Sequence, residues 1–242
     1  MSRPDRWEAV VFDVDGTLVD SERDGHRVAF NLAFEAFGLP YRWDVKDYGR
    51  WLAVAGGRQR FEAFLVSRGH DRANAAALAA RVHAHKTAVM SDLVRAGVVP
   101  ARSGVPELLA ELTELGVRLA VATTGTRAWV EPLLERLFGR STFELVVTGS
   151  EIRALKPDPA VYREVVRSLG VPAEHAVAVE DSRNGLEAAV AAGLSCVVVT
   201  NEYTIGHDFP EAAAVYGGFA ECRADRTGPL RAGLVRVPGP GR

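Results

Sequence analysis

Apolar positions along this chain fall into two kinds of run. Short, continuous and β-branched runs occur at Ala9–Phe12, Arg118–Ala122, Leu145–Val147, 176–179 and Ser195–Val199. That is the pattern of strands buried on both faces. Between them, 106–115, Arg127–Phe138, Ala160–Leu169 and 184–192 carry apolar residues at helical spacing, and Gly116, Gly170 and Gly193 stand where a helix end favours glycine. Strands alternating with helices predict an α/β fold with a doubly wound, Rossmann-like parallel sheet and right-handed crossovers.

One interval breaks the alternation. About 100 residues separate the first strand from the second, far more than a structureless loop inside a compact domain allows. Residues 21–96 read as helical throughout, with no convincing strand. The expected organisation is therefore a core formed by 1–20 and 97–242, with an inserted helical cap domain over 21–96.

Composition narrows the function classes. The chain has 242 residues, of which 48% are hydrophobic and 25% charged, as in an ordinary globular protein. A formal net charge of −2 supplies no basic field, so neither nucleic acid nor a membrane surface is an expected partner. Cys196 and Cys222 belong to no Cys-x-x-Cys pair and are read as reduced thiols. No apolar run approaches the roughly 18 residues of a membrane span. The polar opening lacks the apolar stretch of a secretory signal. The expectation is a cytoplasmic protein, monomeric or weakly dimeric, with frayed ends at 1–6 and 238–242.

The chemistry stands at the strand ends. In an open parallel sheet the ligand crevice lies beyond the carboxyl ends of the strands. After the first strand come Asp13 and Asp15, which alternation sends off the same side, and Gly16 lets the chain turn sharply. Two close carboxylates repel unless a cation or a shared proton relieves them, so a divalent metal is the first expectation. Thr123 and Thr124 follow the second strand, Lys156 comes beyond the third, and Glu180 with Asp181 follows the fourth. Singly each has a plainer reading: an acidic strand end, a threonine cap, a solvated lysine. Together they suit phosphoryl transfer, with carboxylate oxygens for Mg2+, an ammonium for phosphate, and hydroxyl and amide donors for its remaining oxygens. No Walker loop, Gly-x-Gly-x-x-Gly or Gly-x-Ser-x-Gly occurs, which removes the usual support for nucleotide and serine-hydrolase readings.

These motifs, Asp13-Val14-Asp15-Gly16-Thr17, Thr123, Lys156 and Glu180-Asp181, resemble the haloacid dehalogenase superfamily of phosphohydrolases over nearly the whole chain. The stretch from Asp15 to Glu22, the Gly56-Gly57-Arg58 segment, the Ala122-Thr123-Thr124 turn and Glu180-Asp181-Ser182-Arg183-Asn184-Gly185 are similar to the CbbY-like branch and the neighbouring β-phosphoglucomutases. The resemblance implies a small phosphorylated sugar as substrate, with xylulose 1,5-bisphosphate the specific one. It implies Asp13 as nucleophile through an aspartyl phosphate, and Asp15 as the acid that protonates the leaving group and then activates water. Mg2+ would be held by Asp13, the backbone carbonyl of Asp15 and Asp181, with Glu180 beside them. Thr123, Thr124 and Lys156 would bind the transferring phosphate, and Asn184 would support the loop.

In the cap, Glu22 and His26 are four apart on a helix and share a face. The resemblance matches them to sugar-contacting or hinge positions, against the plainer reading of an exposed pair. Gly57 opens a further cap helix, whose free amides with Arg60 would suit a second phosphate. Lys86 occupies another matched position. Arg58 and Gln59 depart from the lysine and glutamate usual in CbbY-like chains, which leaves the positive charge but changes the pair. His83 and His85, two apart on a helix, diverge and make no metal pair. The four tryptophans are read as packing, with Trp51 close to the glycine pair. The function expected is a Mg2+-dependent phosphosugar phosphatase. Its competitors are a phosphomutase using the same aspartyl phosphate, a carbon–halogen dehalogenase, for which Asp15 would have no use, and a non-catalytic phosphosugar-binding regulator.

Overall fold

The computed structural model describes residues 7–54 and 56–232, so the ends expected to fray lie outside the described residues. The chain divides into two compact units, one formed by 1–19, 101–127 and 134–242, the other by 20–100 and 128–133. The sequence reading drew the inserted segment at 21–96; the second unit also takes 97–100 and the first turns of the helix at Arg127–Phe138, a tertiary association that local sequence does not carry.

The first unit is built on six strands, β1 (Ala9–Phe12), β2 (Arg118–Ala122), β3 (Leu145–Val147), β4 (Ala176–Glu180), β5 (Ser195–Val199) and β6 (Ala214–Tyr216). All pair in parallel, in the order β3-β2-β1-β4-β5-β6. This is the doubly wound, Rossmann-like parallel sheet that the alternation of strands and helices predicts. β1 is central: Val11 lies in register with Ala120 on one side and Ala178 on the other. The chain first winds outward from β1 to β3 and then returns to β4, so the direction of winding reverses between β1 and β4. A crevice opens beyond the strand ends at such a reversal.

Of the helices that follow the inserted segment, α5 (Val105–Glu114), α7 (Ala160–Leu169), α8 (Arg183–Ala191) and the short α9 (Phe219–Ala224) pack on the strands, and α6 (Arg127–Phe138) and the short α10 (Pro229–Ala232) complete the element order. Period-two alternation divides β1 between two faces. Ala9 and Val11 enter the core cluster that contains Val161, Tyr162 and Val165 of α7 and Leu186, Ala188 and Ala189 of α8. Asp13 continues that alternation toward the same face, which puts its carboxylate beside α7. β6 is a strand the sequence reading missed. It has three residues at the sheet edge, with Val215 exposed, and pairs with β5, the preceding strand in the chain. Nothing local distinguishes so short a run from a loop.

The second unit is helical: α1 (Arg27–Ala36), α2 (Val45–Trp51), α3 (Gly57–Ser67) and α4 (Arg72–Ala96). α4 starts on Asp71, which accepts from Asn74 N, and stops at Gly97 in the left-handed region. Phe30, Phe34, Trp43, Tyr48, Phe61 and Phe64 form its aromatic core. The segment Glu22–His26, expected as ordinary helix, is a π-helical turn. Gly25 explains the close approach there, because a Cβ at that position would meet Met90 Cε of α4 at 2.7 Å. No helix among the described residues is long and apolar enough to cross a membrane.

Candidate active site

At the crevice of the first unit, the sheet brings together groups that lie as much as 185 residues apart in the chain. Asp13 follows β1 directly, its N–H donating to Val179 O at 3.0 Å, and its side chain is buried. The chain then folds into a tight turn in which the N–H groups of Thr17, Leu18 and Val19 all converge on Val14 O. Gly16 makes that turn with φ +80°, and a Cβ there would stand 2.3 Å from Asp181 Oδ2. Both the backbone conformation and the space demand glycine. Asp15, on the same turn, is partly exposed where Asp13 is buried.

Lys156 organises the carboxylates. Its Nζ donates to Asp13 Oδ1 and Glu180 Oε1, each at 2.6 Å, and to Ala122 O at 2.8 Å. Glu180 is wholly buried and its Oε1 also accepts from Tyr162 OH at 2.6 Å. Gly185 leaves room for this carboxylate: a Cβ on it would lie 2.0 Å from Glu180 Cδ. Ser182 caps α8 by accepting from Gly185 N at 3.1 Å, which holds the glycine against Glu180. Burial pushes the Asp13 carboxyl well above the usual range; Lys156 opposes this, while Glu180, Asp181 and Asp15 all add to it. Burial works against the charge on Lys156, yet the carboxylates of Asp13 and Glu180 hold it above its ordinary range.

Asp181 is held on both oxygens, Oδ1 accepting from Thr17 Oγ1 at 3.4 Å and Oδ2 from Asn201 Nδ2 at 2.6 Å. Asp13, Glu180 and Asp181 each offer a carboxylate oxygen, and these atoms lie within 4.8 Å of one another. Such an all-oxygen, closely spaced and buried set fits a hard divalent cation. The upward push of Asp181, Glu180 and Asp15 on Asp13 marks the negative potential such a cation would relieve. Glu180 differs from the other two because its Oε1 already takes Lys156 and Tyr162. Thr123 is buried at the end of β2, with N–H donating to Val147 O and Oγ1 accepting from Gly125 N at 3.0 Å. Its hydroxyl hydrogen is not used by that bond. Thr124 follows, and its carbonyl packs where a Cβ on Gly149 would come to 2.3 Å.

The helical unit places its predicted residues in two groups. Arg60, in the first turn of α3, is buried, donating to Tyr48 OH at 2.7 Å and Trp51 O at 3.1 Å, with Glu22 Oε2 at 3.7 Å. Tyr48 OH in turn donates to Glu22. His26 and Lys86 form the second group, Nζ to Nδ1 at 2.7 Å, with the Trp129 ring edge-on to His26 at 5.1 Å. Glu22 and His26, expected to act from one face, thus belong to separate networks. Gly57 opens α3, and its missing side chain leaves room for His83, whose Nε2 a Cβ would meet at 2.9 Å. Burial first, then Lys86, His26 and the arginines Arg58 and Arg60, depress His83 to a pKa of about 4. A cavity of about 510 Å³ lined by Tyr41, Trp43, Trp51, Arg42, Arg50 and Arg68 contains none of the predicted residues.

Sequence reasoning missed Tyr162, Asn201, Arg102 and Tyr48. Tyr162 is the one hydroxyl on the apolar stripe Val161, Tyr162, Val165 and Leu169 of α7, a signal that was available. Asn201 follows β5 closely, where the strand-end rule applies as it does to the other strands. Arg102 and Tyr48 carry no local signal.

A family model of haloacid dehalogenase-like hydrolases matches residues 7–193. The CbbY protein of Cereibacter sphaeroides is 41% identical over 218 residues, covering 88% of this chain and 93% of its own. The crystal structure of CbbY from Rhodobacter sphaeroides with phosphate superposes with a TM-score of 0.80 at 39% identity, over 94% of this chain and 99% of the other. An aspartate-to-asparagine variant of that protein, in complex with xylulose 1,5-bisphosphate, has a TM-score of 0.78 at 39% identity and covers 89% and 96%. With the motifs and the sheet agreeing over this length, the chain belongs to the haloacid dehalogenase-like hydrolases, in their CbbY-like branch, and is an enzyme of the phosphatase type.

Proposed function

We propose that this protein is a Mg2+-dependent phosphosugar phosphatase working through an aspartyl phosphate on Asp13, with xylulose 1,5-bisphosphate as its substrate. The observation that carries the reading is the buried cluster of Asp13, Glu180 and Asp181, with carboxylate oxygens within 4.8 Å of one another and Lys156 bridging the first two, at the reversal of the sheet. The substrate rests on the likeness to the protein seen with that bisphosphate.

Mg2+ would be held by Asp13, the Asp15 carbonyl and Asp181, and when bound it supplies positive charge to offset the phosphate oxygens. The remaining work falls to side chains of this chain. Asp13 attacks phosphorus with one carboxylate oxygen while Asp15 gives a proton to the departing sugar oxygen. Asp15, now a carboxylate, takes a proton from water as it attacks the aspartyl phosphate, which returns phosphate and Asp13. Lys156 neutralises charge on the transferring group and keeps Asp13 and Glu180 from repelling each other. Thr123 and Thr124 donate to its oxygens. Glu22, His26, Gly57, Arg60 and Lys86 of the helical unit choose the sugar and grip the second phosphate.

The test is a phosphate-release assay across sugar mono- and bisphosphates with Mg2+, on wild type and Asp13→Asn. Release by the wild type, strongest for the ketopentose bisphosphate and below about 1% of that in Asp13→Asn, is the expected result. Isomerised product without release would make it a mutase, and inertness toward every substrate would make it a binding protein.

A further inference from the structure

Asn201 lies outside the four motifs, yet its side-chain amide touches two of them. Nδ2 donates to Asp181 Oδ2 at 2.6 Å and to Gly16 O at 3.1 Å. Its orientation is not free. Oδ1 accepts from Tyr203 N at 2.9 Å and the Asn201 N–H donates to Thr204 Oγ1 at 3.0 Å. Flipping the amide would set an oxygen against a carboxylate and a carbonyl, and an NH2 against an N–H, so the amide has one acceptable sense. A second brace meets the same carbonyl: Arg102, buried, donates to Gly16 O, to Val199 O at 3.1 Å and to Thr200 O at 2.6 Å. The segment at the end of β5 is thereby tied to the turn after β1 and to the carboxylate after β4.

We infer that Asn201 is a positioning residue that fixes the Asp181 carboxylate and so sets the affinity of the site for Mg2+. The inference rests on the metal-dependent reading above. The physical cause is rotamer freedom. Asp181 has two oxygens, and Thr17 and Asn201 donate to one each, so the carboxylate is held from both sides. A carboxylate already aimed loses less side-chain entropy when it ligates. The close fit supports the same role. The space beside Gly16 is closed by Asn201 Nδ2, 2.7 Å from a notional Cβ, as well as by Asp181. The catalytic turn thus packs directly on the amide.

The experiment is a Mg2+ titration of thermal stability without substrate, for wild type, Asn201→Ala, Asn201→Ser and Ile205→Ala, with Mn2+ binding followed by electron paramagnetic resonance. Both Asn201 variants are expected to raise the Mg2+ midpoint about 10- to 100-fold, the usual cost of losing a partner that orients a ligand. At saturating Mg2+ their KM for substrate should stay near wild type. Ile205→Ala, which changes an exposed side chain of the same loop and leaves the amide and its partners, should keep the wild-type midpoint. Asn201→Ser carries the measurement if Asn201→Ala fails to fold. Unchanged midpoints in the Asn201 variants, or an equal rise in Ile205→Ala, overturn the inference and leave the metal-dependent function standing. A wild type with no Mg2+ response overturns both.

Discussion

The Nζ of Lys156 lies 2.6 Å from Oδ1 of Asp13, 143 residues earlier in the chain, with both side chains buried. The same ammonium holds Glu180. Removing one partner of a buried ion pair leaves the others uncompensated, at a cost of about 3 to 5 kcal/mol. Lys156→Met, which keeps the stem and deletes the charge, should lower Tm clearly and abolish turnover. Adding Mg2+ should restore part of the lost stability, because a cation can take over the neutralising role. Melting curves with and without Mg2+ measure this, and a Tm equal to wild type would show that the pair contributes nothing net.

Asp15 and Asp181 stand close to Asp13 but are assigned different work, and the two asparagine variants should fail differently. Asp15→Asn should form the aspartyl phosphate from p-nitrophenyl phosphate, whose leaving group needs no acid, and then hydrolyse it slowly for want of a base. A burst of p-nitrophenol followed by a slow phase is the signature. Asp181→Asn should instead raise the Mg2+ requirement without a burst. Rescue of Asp15→Asn by high Mg2+, with none for Asp181→Asn, would reverse the two roles.

Gly185 reports on the tightness of the site. A Cβ there would overlap the Glu180 carboxyl at 2.0 to 2.1 Å, and Glu180 cannot retreat without losing Lys156 and Tyr162. Gly185→Ala should cost about 1 to 3 kcal/mol by overpacking. It should also reduce kcat at least about tenfold, equivalent to about 1.4 kcal/mol of misplacement at Lys156. A fall in Tm with kcat intact would mean that α8 yields instead of Glu180.

How much of this was legible beforehand follows from the range of each interaction. The strands β1 to β5 announce themselves because each is an apolar run bounded by polar residues, and the carboxylates, threonines and lysine stand at their ends. β6 does not, since its three residues acquire meaning only beside β5. Tyr162 and Asn201 occupied readable positions, one in an apolar helix stripe and one at a strand end. Arg102 and the Tyr48 link between Glu22 and Arg60 are tertiary facts with no local trace. The close approach of Gly25 to Met90 likewise joins two residues far apart in the chain.

His83 gives the helical unit an acid sensitivity. Its pKa in the folded protein is about 4, through burial and the neighbouring cations, against about 6.5 when unfolded. Between these values the unfolded chain binds the proton and the folded one does not, so stability falls as pH drops from about 6.5 to 4. The loss is at most about 3 kcal/mol and smaller in practice, because the ring is only partly buried. His83→Gln should therefore flatten the decline of Tm over that window relative to wild type while leaving pH 8 stability similar. Parallel curves for the two proteins would remove His83 as the source.

Arg60 is the sharpest test of what the helical unit recognises. A bisphosphate carries a second phosphate that needs its own cation, and Arg60 is the guanidinium the CbbY-like resemblance assigns to it. In the structure that group is buried, pointed by Tyr48 OH and Trp51 O and flanked by Glu22 at 3.7 Å. Such a frame keeps the fork fixed, so that a phosphate meets donors already oriented. Losing a bidentate contact to phosphate costs about 1.5 to 3 kcal/mol, or about 10- to 150-fold in kcat/KM. Arg60→Ala should accordingly weaken turnover of the sugar bisphosphate by that factor and leave p-nitrophenyl phosphate, which has no second phosphate, nearly untouched. Arg60→Lys should recover only part of the loss, since a point charge cannot make the paired contact. Equal losses on both substrates, with a lower Tm, would mean that Arg60 serves the Glu22–Tyr48 network alone, and unchanged kinetics on both would remove it from recognition altogether.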